Sequence, residues 1–238
     1  LLGLGRRAMT PVGGVIFDLD DTLFDCTGQL TDPARLRAAS LLATHISETT
    51  PQDLVDLQIQ LSTKISSLDA IREIGRRHDL PDRVVTEALE TYNDDRVPEI
   101  APFPDAVDTI EWLIGERITP AIVTTGRKSR QLTKIDRIGL GDVFEEGRNL
   151  WIHEQSIDQP EKTAQLEQAT SYLGGPPGEI ASIGDKLDSD IRVGNRLGLV
   201  TVRILKGRQK DAEPEGALET PDHTITELTE LRCVLIAS

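Results

Sequence analysis

Residues 15–25 read Val-Ile-Phe-Asp-Leu-Asp-Asp-Thr-Leu-Phe-Asp. Three apolar residues, Val15, Ile16 and Phe17, run straight into Asp18, Leu19, Asp20, Asp21 and Thr22. The apolar run has the character of a buried strand, and the carboxylates fall at its C-terminal end. Side chains two residues apart on an extended chain share a face, so Asp18 and Asp20 can point together into one site. Neighbouring carboxylates repel unless a cation or a proton intervenes. A hard divalent cation such as Mg²⁺ suits oxygen ligands, and that pairing suggests metal-assisted chemistry on a phosphate.

The elements that would carry such a site alternate along the chain. Thr119 to Thr124, Ala181 to Ile183 and Val200 to Leu205 read as short apolar strands. Between them, 105–116, 127–138 and 161–173 carry apolar residues at helical spacing. Strands alternating with helices imply βαβ units, a parallel sheet and an α/β fold. Residues 25–100 differ: they hold no convincing strand but several amphipathic stretches, over 33–46, 52–65, 68–78 and 81–92. Asp32 is a candidate N-cap there, with Pro33 in the first turn. The expected architecture is a Rossmann-like parallel-sheet core, residues 11–24 plus 101–238, with a small α-helical cap domain inserted over 25–100. Ile100 to Pro104 would be the return linker, 222–225 a final edge strand and 226–236 a closing helix.

The segment Asp18-Leu19-Asp20-Asp21-Thr22-Leu23 resembles the first signature of the haloacid dehalogenase superfamily, in its phosphatase branch. Three further segments extend the resemblance. Ile122-Val123-Thr124-Thr125-Gly126 is similar to the second signature, an apolar strand ending in a hydroxyl residue. Lys162, the lone lysine between Lys134 and Lys186, takes the place of the third, although the usual Lys-Pro pair is absent from Gln159-Pro160-Glu161-Lys162-Thr163. Gly184-Asp185-Lys186-Leu187-Asp188-Ser189-Asp190 resembles the fourth.

The resemblance implies a role for each residue. Asp18 is the expected nucleophile, since a carboxylate can attack phosphorus and split hydrolysis into two easier steps. Asp20 is the expected general acid, then base. Dehalogenases of the superfamily lack this second aspartate, so its presence favours phosphoester hydrolysis. Thr124, Thr125, Gly126 and Lys162 are expected to bind the phosphoryl group, with the ammonium of Lys162 balancing its charge. Asp18, Asp185 and the backbone carbonyl of Asp20 are the expected Mg²⁺ ligands, with Asp190 behind them orienting Lys162 or metal-bound water. The family's strand order, 5-4-1-2-3, would place the first strand at the sheet's centre with the site above it.

The expected activity is Mg²⁺-dependent hydrolysis of a small phosphorylated metabolite through an aspartyl-phosphate. The alternatives are a phosphoryl-transfer mutase of the same family and a non-catalytic binding protein with a vestigial site. A formal net charge of −14 over 238 residues argues against nucleic-acid and anionic-membrane partners, which need a basic face. No apolar run approaches the roughly 18 residues that span a bilayer. The first ten or so residues read as a disordered leader, with Met9 a candidate start, and the absence of targeting signals makes the cytoplasm the expected compartment. Cys26 and Cys233 read as two reduced thiols. The four histidines, His45, His78, His153 and His223, read as structural or surface residues, and Lys206 to Lys210 as a solvated loop. Oligomeric state and substrate identity do not follow from the sequence.

Overall fold

The computed structural model describes residues 12–94, 96–156 and 161–236. The expected leader and Met9, as well as Gln159 and Pro160, lie outside the described residues. Cα proximity divides the chain into two compact units, one formed by the chain up to Cys26 together with Glu99 onward, the other by Thr27–Pro98.

The first unit is built on a six-stranded, wholly parallel sheet. Its strands are β1 (Gly14–Phe17), β2 (Thr119–Thr125), β3 (Leu150–His153), β4 (Ile180–Gly184), β5 (Val200–Ile204) and β6 (His223–Ile225), in the spatial order β3-β2-β1-β4-β5-β6. This is the expected central placement of the first strand, extended by one edge strand. All four residues of β1 are buried. A parallel strand covered on both faces reads as a continuous apolar run rather than an alternation, which is why Val-Ile-Phe is legible as a strand. The helices of this unit are α5 (Ala106–Gly115), α6 (Lys128–Arg137), α7 (Thr163–Leu173), α8 (Arg192–Leu197) and α9 (Leu231–Ile236), counted after the four of the other unit. Ile16, Ala121, Val123 and Ile180 meet Leu166 and Ala169 of α7 and Val193 of α8 in one apolar cluster.

Two elements depart from expectation. Strand β3 is not among the expected strands: the turn over Gly147, Arg148 and Asn149 does punctuate its start, but four residues are too few for a period to show. The closing helix begins at Leu231 rather than 226, because the Glu230 carboxylate accepts from the backbone N–H groups of Thr226 and Glu227 at 2.8 and 2.9 Å and holds that stretch as a turn.

The second unit consists of α1 (Asp32–Ala43), α2 (Pro51–Ser62), α3 (Ser67–Arg77) and α4 (Asp82–Tyr92). Its core gathers Ala38, Leu42, Leu54, Ile71, Ile74, Val84 and Ala88. Thr50 starts α2 through a reciprocal cap with Asp53. Ser66 starts α3 by accepting from the Asp69 N–H at 3.1 Å. Asp32 is not the cap expected of it. A π-helical turn over Thr27–Thr31 leads directly into α1, so Asp32 is already helical and its carboxylate instead accepts from Arg35 at 3.1 Å. No described helix is long and apolar enough to cross a membrane. Cys26 and Cys233 are both free.

Candidate active site

Register assembles the site. Phe17 of β1 stands beside Ile122 of β2 and Ile183 of β4. The ladder continues one step as the Asp18 N–H donates to Ile183 O at 2.8 Å. Thr124 and Asp185 therefore lie two residues past their partners of Phe17, on the strands flanking Asp18. The chain runs from β1 through β2 to β3 on one side and then crosses back to β4 on the other side of β1, and such a switch point opens a crevice at the carboxyl ends of the strands. A cavity of ≈ 350 Å³ lies there, and Asp18, Asp20, Thr124, Thr125, Lys162 and Lys186 are among its lining residues. Gly126 is set back from it, its N–H bonded to His153 O at 3.0 Å.

The loop after β4 is shaped by Asp190. Residues Leu187–Ile191 form a π-helical turn ahead of α8, a form frequent at functional sites. The Asp190 carboxylate folds back to accept the Lys186 N–H at 3.0 Å. Gly184 makes this possible, because a Cβ there would collide with that carboxylate.

Lys162 is buried at the start of α7, hydrogen-bonded to Asp18 and Val123 O and ion-paired with Asp190. Its Nζ lies 2.7 Å from Asp18 Oδ1, 2.6 Å from Asp190 Oδ1 and 3.0 Å from Val123 O. Burial opposes its charge, but Asp18 and Asp190 more than compensate and raise its pKa. Burial likewise opposes ionisation of Asp18, and Lys162 and Lys186 overcome it, holding its carboxyl below the ordinary value. Asp185 behaves oppositely. Burial pushes its carboxyl well above the ordinary value; Lys186 opposes this, while Asp190 and Asp18 add to it.

Asp18, Asp185 and Asp190 offer oxygens that all lie within 4.8 Å of one another. Asp18 Oδ2 and Asp185 Oδ1 are buried without a hydrogen-bond donor, and Lys186 Nζ stands off at 3.8 and 3.6 Å. Unpartnered buried carboxylate oxygens in an all-oxygen cluster fit a hard divalent cation.

The side chain of Asp20 turns to a different partner. Lys134 of α6, itself buried, holds both Asp20 oxygens at 2.8 Å. One turn earlier, buried Gln131 donates to Thr124 Oγ1 at 2.7 Å and to Thr125 O at 3.3 Å. Sequence reasoning missed Gln131, Lys134 and Lys186. The signal for the first two was available: they share a stripe with the apolar Ile135 and Ile138, where a polar residue needs a buried partner. The expected solvated loop after β5 begins with Lys206, paired to Glu227 at 3.0 Å.

A doubly wound parallel sheet with an acid-and-lysine cluster at its switch point defines an α/β protein of the kind that binds ligands at the carboxyl ends of its strands. The family model of the haloacid dehalogenase-like hydrolases matches residues 12–198, and the chain belongs to that family. A glyceraldehyde 3-phosphate phosphatase of Methanopyrus kandleri is 30% identical over 92% of this chain and 95% of its own length. One of Methanocaldococcus jannaschii is 26% identical with the same coverage. The crystal structure of a predicted phosphoglycolate phosphatase from Haemophilus somnus superposes with a TM-score of 0.69 at 17% identity, over 95% of this chain and 99% of that one. Family and relatives place the chain among the phosphoric monoester hydrolases.

Proposed function

We propose that this chain is a Mg²⁺-dependent phosphatase acting on glyceraldehyde 3-phosphate or a similarly small phosphorylated metabolite, through an aspartyl-phosphate on Asp18. The observation that carries the reading is Asp18 itself. It is buried at the end of the central strand, kept ionised by lysines, with one oxygen bound to Lys162 and the other without a donor. The names of two relatives that match nearly the whole chain support the substrate class.

In the first step an Asp18 oxygen forms a bond to phosphorus as the ester P–O bond breaks. Asp20, the carboxylate gripped by Lys134 in the resting site, takes up a proton from solvent as the anionic substrate binds and gives it to the departing alkoxide. In the second step Asp20 takes a proton from water, whose oxygen bonds to phosphorus as the Asp18–phosphorus bond breaks. The products are the alcohol and inorganic phosphate. Thr124 donates to a phosphoryl oxygen and Lys162 balances the charge of nucleophile and phosphoryl group, with Thr125 and Gly126 forming the turn beside them. Asp18, Asp185 and the Asp20 carbonyl would hold Mg²⁺, with Asp190 fixing Lys162 behind them. Bound there, the cation supplies positive charge against the negative charge gathered between Asp18 and the phosphate. The helical unit Thr27–Pro98 is assigned the role of a specificity cap, since none of these residues falls within it.

The test is release of inorganic phosphate from a panel of small phosphoesters, with and without EDTA. The reading expects turnover that requires Mg²⁺ and is best for triose phosphates. Beryllofluoride with Mg²⁺ should raise the thermal midpoint of the wild type and not of Asp18→Ala, as expected for a ligand of the folded state alone. Absence of turnover across the panel would reject the hydrolase reading.

A further inference from the structure

Helix α6 carries two buried polar side chains, three residues apart, that both reach the site. We propose that Gln131 and Lys134 are positioning residues, which aim the hydroxyl proton of Thr124 and the carboxylate of Asp20 at a bound phosphoester. The inference rests on the phosphatase reading for the role of Asp20, but its claim about Thr124 concerns anion binding alone.

Gln131 fixes a proton. The carbonyl of Thr125 can only accept, so the Gln131 end that faces it at 3.3 Å is the NH₂ group. The same Nε2 lies 2.7 Å from Thr124 Oγ1, which must therefore accept. A hydroxyl that accepts on that side keeps its one proton for another direction, and Thr124 lines the cavity. The hydroxyl is thereby preset as a donor toward an anion. Gly126 belongs to the same arrangement: it has φ 152°, and a Cβ there would press on the Gln131 amide at 3.0 Å.

Lys134 fixes a rotamer. It spends two N–H groups on the two oxygens of Asp20, both at 2.8 Å, and its ammonium lies 5.9 Å from the Phe24 ring centroid. Only 5% of the Lys134 side chain is exposed, against 21% for Asp20. Burying an ammonium is costly, and replacing a buried ion pair by apolar residues is often neutral or stabilising. Stability alone is a poor reason for this pair. A two-point grip on a carboxylate that lines the catalytic cavity instead holds the plane of the ionised group, the form that takes the proton of the attacking water in the second step, and that transfer depends on such geometry. The i, i+3 spacing puts both devices on one helix face, so a single rigid element sets two reacting groups.

Two measurements test this. In single-turnover experiments, Lys134→Met should slow hydrolysis of the phosphoenzyme about tenfold more than its formation from p-nitrophenyl phosphate, whose leaving group needs little protonation. A purely structural role would slow both equally, and that result would overturn the assignment. In the Asp20→Asn background, adding Lys134→Met should cost nothing further in this ratio. That double variant removes both members of the pair, so it keeps the test open if the single variant does not fold; a further loss in it would also overturn the proposal. For Gln131, inorganic phosphate titrated calorimetrically into Gln131→Glu should bind about tenfold more weakly, because a carboxylate accepts from Thr124 and turns its proton away. Repulsion by the new charge would persist in a Thr124→Val background, whereas loss of aim would not. Additive losses in that cycle would reject the role of Gln131, whatever the panel of phosphoesters has shown about turnover.

Discussion

The Lys162 ammonium lies between two carboxylates, hydrogen-bonded to Asp18 Oδ1 at 2.7 Å and ion-paired with Asp190 Oδ1 at 2.6 Å, and also donates to Val123 O at 3.0 Å. Three acceptors converge on one nitrogen. A tetrahedral ammonium satisfies that arrangement and a planar guanidinium does not. Lys162→Met should lower turnover by roughly 10²-fold or more, as for loss of one preorganised charge or donor in a site. Lys162→Arg should be nearly as damaging despite keeping the charge. Steady-state kinetics on both variants decides this, and an arginine variant with most of the wild-type kcat would mean that charge suffices without geometry.

Asp18→Asn should remain folded and lose turnover by several orders of magnitude, since the amide cannot form the acyl-phosphate. Circular dichroism and the thermal midpoint establish that the comparison is between folded proteins. Mg²⁺ affinity, measured alongside by calorimetry, should fall as well, because a donor-free carboxylate oxygen is lost. Substantial activity at matched stability would remove Asp18 from the nucleophile's role.

The sheet and its central strand were legible because a doubly covered parallel strand is apolar throughout, and Val15, Ile16 and Phe17 satisfy that pattern. The acid cluster was legible because Asp18 and Asp185 directly follow such strands, while Asp190, in the turn beyond β4, was reached through the resemblance of its segment to the fourth signature. The grips on Thr124 and Asp20 were not. Gln131 and Lys134 share the apolar stripe of Ile135 and Ile138, which signals their burial but does not name what they bind. Their partners lie across the fold, Lys134 being 114 residues from Asp20. The false cap at Asp32 has a local cause: the π-helical turn before it leaves no extended residue to do the capping. Four-residue β3 fell below the length at which periodicity carries information.

Asp185 gives a pH dependence with a definite sign. Burial raises its carboxyl well above the ordinary value of 3.8, so the metal-free native state keeps a proton that the unfolded chain has already released. By linkage, this group's contribution to stability is present below 3.8 and is lost as pH rises through the native value. Asp185→Asn has no such proton. The stability of the wild type relative to that variant, from urea unfolding in EDTA, should therefore decline as pH rises from the ordinary carboxylate range. Saturating Mg²⁺ should abolish the decline for the wild type, because metal replaces the proton. A difference that stays constant with pH in EDTA would mean that Asp185 ionises normally.

Gly184 couples the strand to the acid that steadies Lys162. An added Cβ would strike the Asp190 carboxylate, which is buried between Lys162 Nζ and the Lys186 N–H. The surroundings leave little room to yield, since β4 is wholly buried and paired on both sides to β1 and β5. Gly184→Ala should destabilise the protein by about 1–3 kcal/mol, the usual range for overpacking. It should also lower turnover beyond what that instability explains, because displacing Asp190 frees Lys162 from one of its three acceptors. Unfolding at a temperature well below the thermal midpoint of either protein, paired with kcat under the same conditions, separates the two effects. Wild-type kcat in a destabilised Gly184→Ala protein would show that Asp190 can move without disturbing Lys162. Wild-type stability would show that the loop over Leu187–Ile191 absorbs the extra methyl.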